Sequence, residues 1–374
     1  MATSFPSAAF QAVLSVKLRN DIISIIEILQ TIIRTALIYV AVTQNGNIVD
    51  LALITIAVNI ATRSAKLFYA VKFLPANTLG IKHIKLSEIK SFFHFGKFTF
   101  LGQIGDILRF RIDTLVIAAI ISSSQVAIYN IALQLSNIIS NVVGVTISGA
   151  APLFTQYYAE KRFDQMQEKL LLMTKIGIIM STMFSCSALL IAEPFIKIWV
   201  GDEMLEALLP FTILTILVPL GIGQTSLIQV LYATAQHHHF AYINLAEAAA
   251  NVILSLILIQ YYGITGVALG TAIPFIISKF FAVPYYACRS IQMPLKTYRI
   301  HFIKTIFSIM LLESPVFLMV YIYDITNFWQ VFVLAGFGQM LIGFITLKYL
   351  LSDEEYNYVY RTAPPINHLI RRRI

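Results

Sequence analysis

The chain has 374 residues, of which 58% are hydrophobic and only 12% charged, where a soluble globular domain carries roughly 25% charged residues. A mean hydropathy of +0.77 excludes a soluble enzyme and fits an all-α polytopic membrane protein. The net charge of +8 does not indicate a nucleic-acid binder, because the basic residues are dispersed among apolar stretches rather than gathered on one face.

A helix needs about 20 apolar residues to cross a bilayer. Such stretches fall at 21–43, 48–71, 97–121, 126–154, 170–198, 207–233, 240–261, 264–287, 300–323 and 328–350, which predicts ten transmembrane helices. The third is the least apolar, with Asp106, Arg109, Arg111 and Asp113 inside it. With the N-terminus placed in the cytoplasm, the inner segments are 1–20, 72–97, 156–170, 234–239, 289–304 and 352–374. Together they hold 18 Lys and Arg, and the outer segments 44–47, 122–125, 199–206, 262–263 and 324–327 hold none. Cytoplasmic loops are the ones enriched in Lys and Arg, so both termini are expected in the cytoplasm. Two inner segments read as short helices: Leu86–Phe95 at the interface and Glu160–Lys169 in water. A weak internal echo relates the first and seventh spans, where Glu27 and Glu247 each precede an apolar stretch and an outer glycine, Gly46 or Gly263.

Ionisable groups at bilayer depth cost about 2.5–3.5 kcal/mol each on insertion scales, so they face a bundle interior or a wet cavity. Those singled out within the spans are Glu27, Arg34, Arg63, Lys66, Asp106, Arg109, Arg111, Asp113, Lys175, Glu247, Lys279 and Glu313. A polar lumen accounts for so many, although any one of them also fits a structural ion pair or a snorkelling side chain. Asp106, Arg109 and Asp113 are spaced i, i+3 and i+7 and share one helix face. The basic members outnumber the acidic ones. That surplus suits an anionic cargo such as a phosphate, which Arg grips bidentately. Arg34, Arg63, Arg109, Asp113 and Lys279 are the candidate cavity residues.

His237, His238 and His239 read as a polar hairpin tip, since three consecutive histidines do not easily ligate one ion in a tight turn. Cys186 and Cys288 lack any metal or redox spacing. No metal or cofactor is expected. Pro219 with Gly221 and Gly223 marks the sixth span as a flexing element. No GxSxG, HExxH or Walker sequence occurs, and the outer loops are too short to build an enzyme's acceptor site. A transporter is favoured over an enzyme.

Specific residues also carry a family resemblance. Phe95, Gly96, Asp113 and Tyr129 within Phe95–Leu135, the block Pro194–Pro210 (PFIKIWVGDEMLEALLP), and Tyr242–Pro274 with its Glu–Asn helix and Gly-x-x-Gly-x-Ala resemble polysaccharide-biosynthesis flippases. These are the O-antigen translocase type of the multidrug/oligosaccharidyl-lipid/polysaccharide exporter superfamily. The resemblance implies a two-lobe MATE-like transporter fold in the bacterial inner membrane. It implies a flippase that moves an undecaprenyl-diphosphate-linked oligosaccharide by alternating access, with a polysaccharide polymerase and chain-length proteins as partners beside membrane lipid. Aligned on that pattern, the third span is the family's seventh helix, so the first four helices are expected to be absent. The expected division is 1–92 as the remainder of an N-terminal lobe, 93–290 as a six-helix lobe, 291–351 as two extra helices and 352–374 as a basic tail. A drug/cation antiporter and an inactive truncated remnant are the alternatives. The first of these predicts an acidic lumen.

Overall fold

The computed structural model describes residues 19–44, 46–73, 112–322 and 327–350, with isolated positions at 10, 13, 14, 93, 96, 97, 100, 101 and 105. The expected interfacial helix at Leu86–Phe95, the residues Asp106, Arg109 and Arg111, and the tail 352–374 lie outside them almost entirely. Contacts divide the chain into two compact units, Met1–Phe92 and Phe93–Ile374.

In the first unit, α1 (Asn20–Thr43) and α2 (Ile48–Phe73) form an antiparallel hairpin. The turn closes on the Gly46 amide, which donates to the Ala41 carbonyl at 2.7 Å, and on the Asn47 side chain, which accepts from the Val49 amide at 2.9 Å. Polar groups on facing stripes hold the two helices together. Gln30 donates to Asn59 at 2.8 Å, and Lys66 reaches Glu27 at 2.8 Å. The outward faces are apolar, with Ile25, Ile28 and Ile32 all more than half exposed, as a lipid-facing surface requires.

The second unit follows residues 112–120 with α3 (Ser123–Ser148), α4 (Ala151–Ala159), α5 (Phe163–Val200), a 3₁₀ turn at Asp202–Ala207, α6 (Leu208–Ile216), α7 (Val218–Gly223) and α8 (Thr225–Ala233). Then come α9 (His237–Ile277), a π-helical turn at Ser278–Ala282, α10 (Val283–Ser290), α11 (Leu295–Ile322) and α12 (Phe328–Ile345). Ser122 caps α3 by accepting from the Gln125 amide at 3.3 Å, and Asn327 caps α12 by accepting from the Trp329 amide at 3.0 Å, each satisfying a donor that the first helical turn leaves open.

Among the described residues, eight helical stretches are long and apolar enough to cross a membrane. The third expected span is described continuously only from residue 112, and the seventh and eighth run together as one 54-residue stretch, His237–Ser290. Gly263 divides that stretch with a positive φ of 56°, a backbone state open to glycine at little steric cost. The chain then folds back on itself. A Cβ at Gly266 would overlap the Leu258 carbonyl, and one at Gly270 would overlap Ser255, so the two small residues let the halves of α9 meet at backbone distance.

Three further details differ from expectation. The fourth span stops at Ser148, because Gly149 and Ala150 turn the chain before Pro152 starts the short α4. Glu160–Lys169 is not a separate polar helix. Lys161, at φ 57°, turns the chain, and the rest is the opening of the 38-residue α5. The sixth span is broken into α6, α7 and α8, with breaks at Leu217 and Gln224 on either side of Pro219, Gly221 and Gly223.

Two pairs of the expected turns meet within the second unit. Gln125 donates to Glu206 at 2.8 Å, joining two outer turns, and Gln167 donates to the Ile291 carbonyl at 2.9 Å, joining two inner ones.

Candidate functional site

A cavity of about 510 Å³ lies inside the second unit, within the size range of small-molecule sites. One wall is the polar stripe Ser136, Asn137, Ser140 and Asn141 of α3. Further lining comes from Leu214 of α6 and from Leu217, Val218, Gly221 and Ile222 around the broken sixth span. Phe240, Thr271 and Phe275 of α9, with Lys279 of the π turn, complete the wall, and Asp113 closes one end. Thr271, Phe275 and Lys279 stand at i, i+4 and i+8. At a rise of 1.5 Å per residue they form a stripe about 12 Å long.

At the Asp113 end, five buried side chains form a relay of four hydrogen bonds. Asp113 is 1% exposed. Its Oδ2 accepts from the Tyr129 hydroxyl at 2.9 Å and from the Thr271 hydroxyl at 2.7 Å. Thr271 accepts from the Asn251 amide at 3.2 Å, and Ser255 donates to the Asn251 carbonyl oxygen at 2.8 Å. A charged acceptor buried away from water is tolerable only with donors of this kind. The relay ties 112–120 and α3 to both halves of α9 across the Gly263 kink. A fifth polar contact, Ser136 to Thr215 at 2.8 Å, joins α3 to α6 beside the cavity.

At the other end Lys279 is 4% exposed. Its Nζ lies 3.5 Å from Oε2 of Glu247 and over the Phe240 and Phe275 rings, at 5.2 and 5.5 Å from their centroids. The Ser278 hydroxyl donates to the same Glu247 oxygen. Pro274, one turn earlier, lacks an amide proton and interrupts the helical ladder. The π turn that follows is the kind of bulge that often marks a functional position in a helix.

Of the five candidate cavity residues, two, Asp113 and Lys279, line this one cavity. Arg34 and Arg63 stand half-buried on α1 and α2 in the first unit, on the same facing stripes as Gln30 and Asn59. Arg109 lies outside the described residues. Sequence reasoning missed Tyr129 as a partner of Asp113, Thr271 as the link to α9, and Glu247 as the counter-ion of Lys279. The signal for Glu247 was a second buried charge on a neighbouring span. For Thr271 it was a hydroxyl inside a run of small residues at a tight helical hairpin. The three histidines open α9. His237 stacks on Tyr232 with centroids 5.5 Å apart, and His239 on Tyr286 at 4.1 Å, so their rings pack the end of the bundle.

Comparison with known proteins places this geometry. The family model described as polysaccharide biosynthesis protein matches residues 2–158, and the MatE model matches 99–257, so together they span well over half of the chain. The chain is thus similar to both families, neither of whose models by itself covers half of it. The membrane protein EpsK of Bacillus subtilis (strain 168), described as uncharacterized, is 22% identical over 224 residues, covering 59% of this chain and 44% of EpsK. The matched region therefore spans less than half the length of that relative. The lipid II flippase MurJ, in an inward closed conformation, superposes with a TM-score of 0.65 at 16% identity, over 93% of this chain and 73% of MurJ. The all-helical fold of this chain is thus MurJ-like. Asp113 and Tyr129, picked out by the flippase resemblance, sit in the buried relay, and the Tyr242–Pro274 block supplies its other members.

Proposed function

We propose that this protein is a flippase. Its cargo is an undecaprenyl-diphosphate-linked oligosaccharide, the repeat unit of an O-antigen or a similar surface polysaccharide. The cycle is alternating access across the bacterial inner membrane, with both termini in the cytoplasm. The observation that carries this reading is the cavity of about 510 Å³ within an apolar bundle, polar along α3 and with a buried ammonium, Lys279, at one end. An apolar bundle does not keep such a wall unless the wall meets something polar. The family-model matches and the MurJ-like fold support the same reading, as does the broken sixth span that lines the cavity.

In this account Lys279 and Arg109 are cargo contacts of the second unit, and Arg34 and Arg63 are cargo contacts of the first. Asp113 takes a structural or ion-coupling role through its two hydroxyl donors. The lipid tail stays in the bilayer while the headgroup passes. A polymerase and chain-length proteins are the partners that a cargo of this class requires. The antiporter alternative calls for an acidic lumen. Among the described residues the one carboxylate lining this cavity, Asp113, is already engaged by Tyr129 and Thr271, which favours the flippase.

The test is rescue of a host that lacks its own oligosaccharide flippase. Restored surface polysaccharide, with loss of lipid-linked units from the inner leaflet, is the expected result. Continued accumulation of those units, with the protein present in the membrane, would refute the proposal for this chain.

A further inference from the structure

Glu247 and Lys279 are not placed alike. Lys279 lines the cavity together with Phe240 and Phe275. Glu247, 3% exposed, approaches the ammonium from behind that wall and is not among the lining residues. The contact between them is 3.5 Å, longer than the 2.7–3.2 Å of a directed N–H···O hydrogen bond. The same carboxylate oxygen accepts the much closer Ser278 hydroxyl. The ammonium also rests on two ring faces, which attract a cation from any side. Lys279 therefore lines the cavity while it pairs with a carboxylate that has a second donor of its own.

We infer that Glu247 is the resting counter-ion of an anion-binding Lys279, and that it yields the ammonium to the phosphate of the cargo when the cavity loads. The exchange leaves neither charge bare. Lys279 passes from carboxylate to phosphate, and Glu247 retains the Ser278 hydroxyl. An ammonium has three donors, so an intermediate in which carboxylate and phosphate share it has no geometric obstacle. The pair thus works as an internal competitor that keeps the cavity electrically quiet when empty and sets how tightly the phosphate is held. This assignment rests on the flippase reading and adds to it the group that competes with the cargo.

The substitutions have opposite signs. Glu247→Gln removes the competing charge but keeps an oxygen for Ser278, so phosphate binding tightens by about tenfold, the size that one charge-assisted contact commands. Ser278→Ala removes the second donor, commits the carboxylate to Lys279 and weakens binding. Lys279→Met abolishes the preference for an anion, and Lys279→Arg retains it.

The experiment measures binding of undecaprenyl diphosphate, uncharged undecaprenol and inorganic diphosphate to the full chain in nanodiscs by native mass spectrometry, with thermal melting of each variant alongside. The expected result is a wild-type preference for undecaprenyl diphosphate over undecaprenol, tightened in Glu247→Gln, weakened in Ser278→Ala and lost in Lys279→Met. The same order with inorganic diphosphate, at lower affinity, would assign the effect to the phosphates alone. A wild-type preference that Glu247→Gln leaves unchanged or weakens, in a variant that melts normally, overturns the counter-ion role and leaves the flippase reading standing. If Glu247→Gln does not fold, a Ser278→Ala variant binding as wild type does the same. No wild-type preference for the diphosphate lipid overturns both.

Discussion

Removing the two hydroxyls that donate to Asp113 tests the relay most sharply. Tyr129→Phe keeps the ring of a fully buried residue and deletes only the oxygen 2.9 Å from the carboxylate. Thr271→Val keeps the branched shape and deletes the oxygen at 2.7 Å, which also accepts from Asn251. Interhelical hydrogen bonds within membranes average about 0.6 kcal/mol and reach about 1.7. Bonds to a charged partner run about 1.5–3 kcal/mol in proteins generally. A buried carboxylate acceptor moves these two toward the top of the membrane range, so each substitution should destabilise the fold by about 1–2 kcal/mol. Because both donors serve one oxygen, the second loss falls on a carboxylate already short of compensation. The double variant should exceed the sum of the singles by at least about 0.5 kcal/mol. With Asp113→Asn as background the charge is gone, and Tyr129→Phe should fall to about 0.6 kcal/mol. Reversible unfolding in mixed micelles measures all of these. Single effects below about 0.3 kcal/mol, strictly additive in the double variant, would refute the claim that these hydroxyls support a buried carboxylate.

Three further outcomes follow from the packing. Gly266→Ala puts a methyl into the Leu258 backbone and should lower the melting temperature, whereas Gly336→Ala, where a Cβ meets open space within α12, should raise stability by up to about 1 kcal/mol, the helix-propensity difference. Glu313 is 2% exposed and takes one hydrogen bond, from Gln339 at 2.9 Å, and its Oε1 has no partner among the described residues. Glu313→Gln should therefore leave the melting temperature unchanged or raise it, while Gln339→Leu, which strips the carboxylate of that donor, should lower it. At Gly221 a Cβ would come within 2.9 Å of the Phe275 ring, and both residues line the cavity. Gly221→Leu should reduce rescue of the flippase-deficient host with little change in the amount of folded protein in the membrane.

Most of the membrane spans were legible because each is a long apolar run. Gly263 was legible as a turn, and Pro219 with its glycines marked the sixth span as a flexing element without showing where it breaks. What no local pattern carried is pairing. Glu27 and Lys66 are 39 positions apart, and Asp113 and Thr271 are 158 apart, so each pair exists only through the packing of separate helices. The i, i+3, i+7 spacing around Arg109 directed attention along one helix, but the partners of Asp113 that the structure shows lie on two others. Lys279 was legible as a charge in a span. Its placement on a π turn beside Glu247 was not, because a π turn changes which residues share a face, and the sequence signals it only indirectly through Pro274 and Pro284. Arg34 and Arg63 were chosen as isolated cations, and they stand on the polar stripe that also joins α1 to α2.

The central claim is that this chain moves a lipid-linked oligosaccharide between leaflets through a cavity that holds its phosphate at Lys279. The most direct measurement places the purified chain in proteoliposomes carrying a fluorescent diphosphate-linked oligosaccharide and follows the fraction that a membrane-impermeant quencher can reach. The account predicts that the quencher-protected lipid exchanges between leaflets with wild type and Lys279→Arg, and stays trapped with Lys279→Met and in protein-free vesicles. Trapped lipid with wild-type protein shown to be folded, or equal exchange with Lys279→Met, would contradict it.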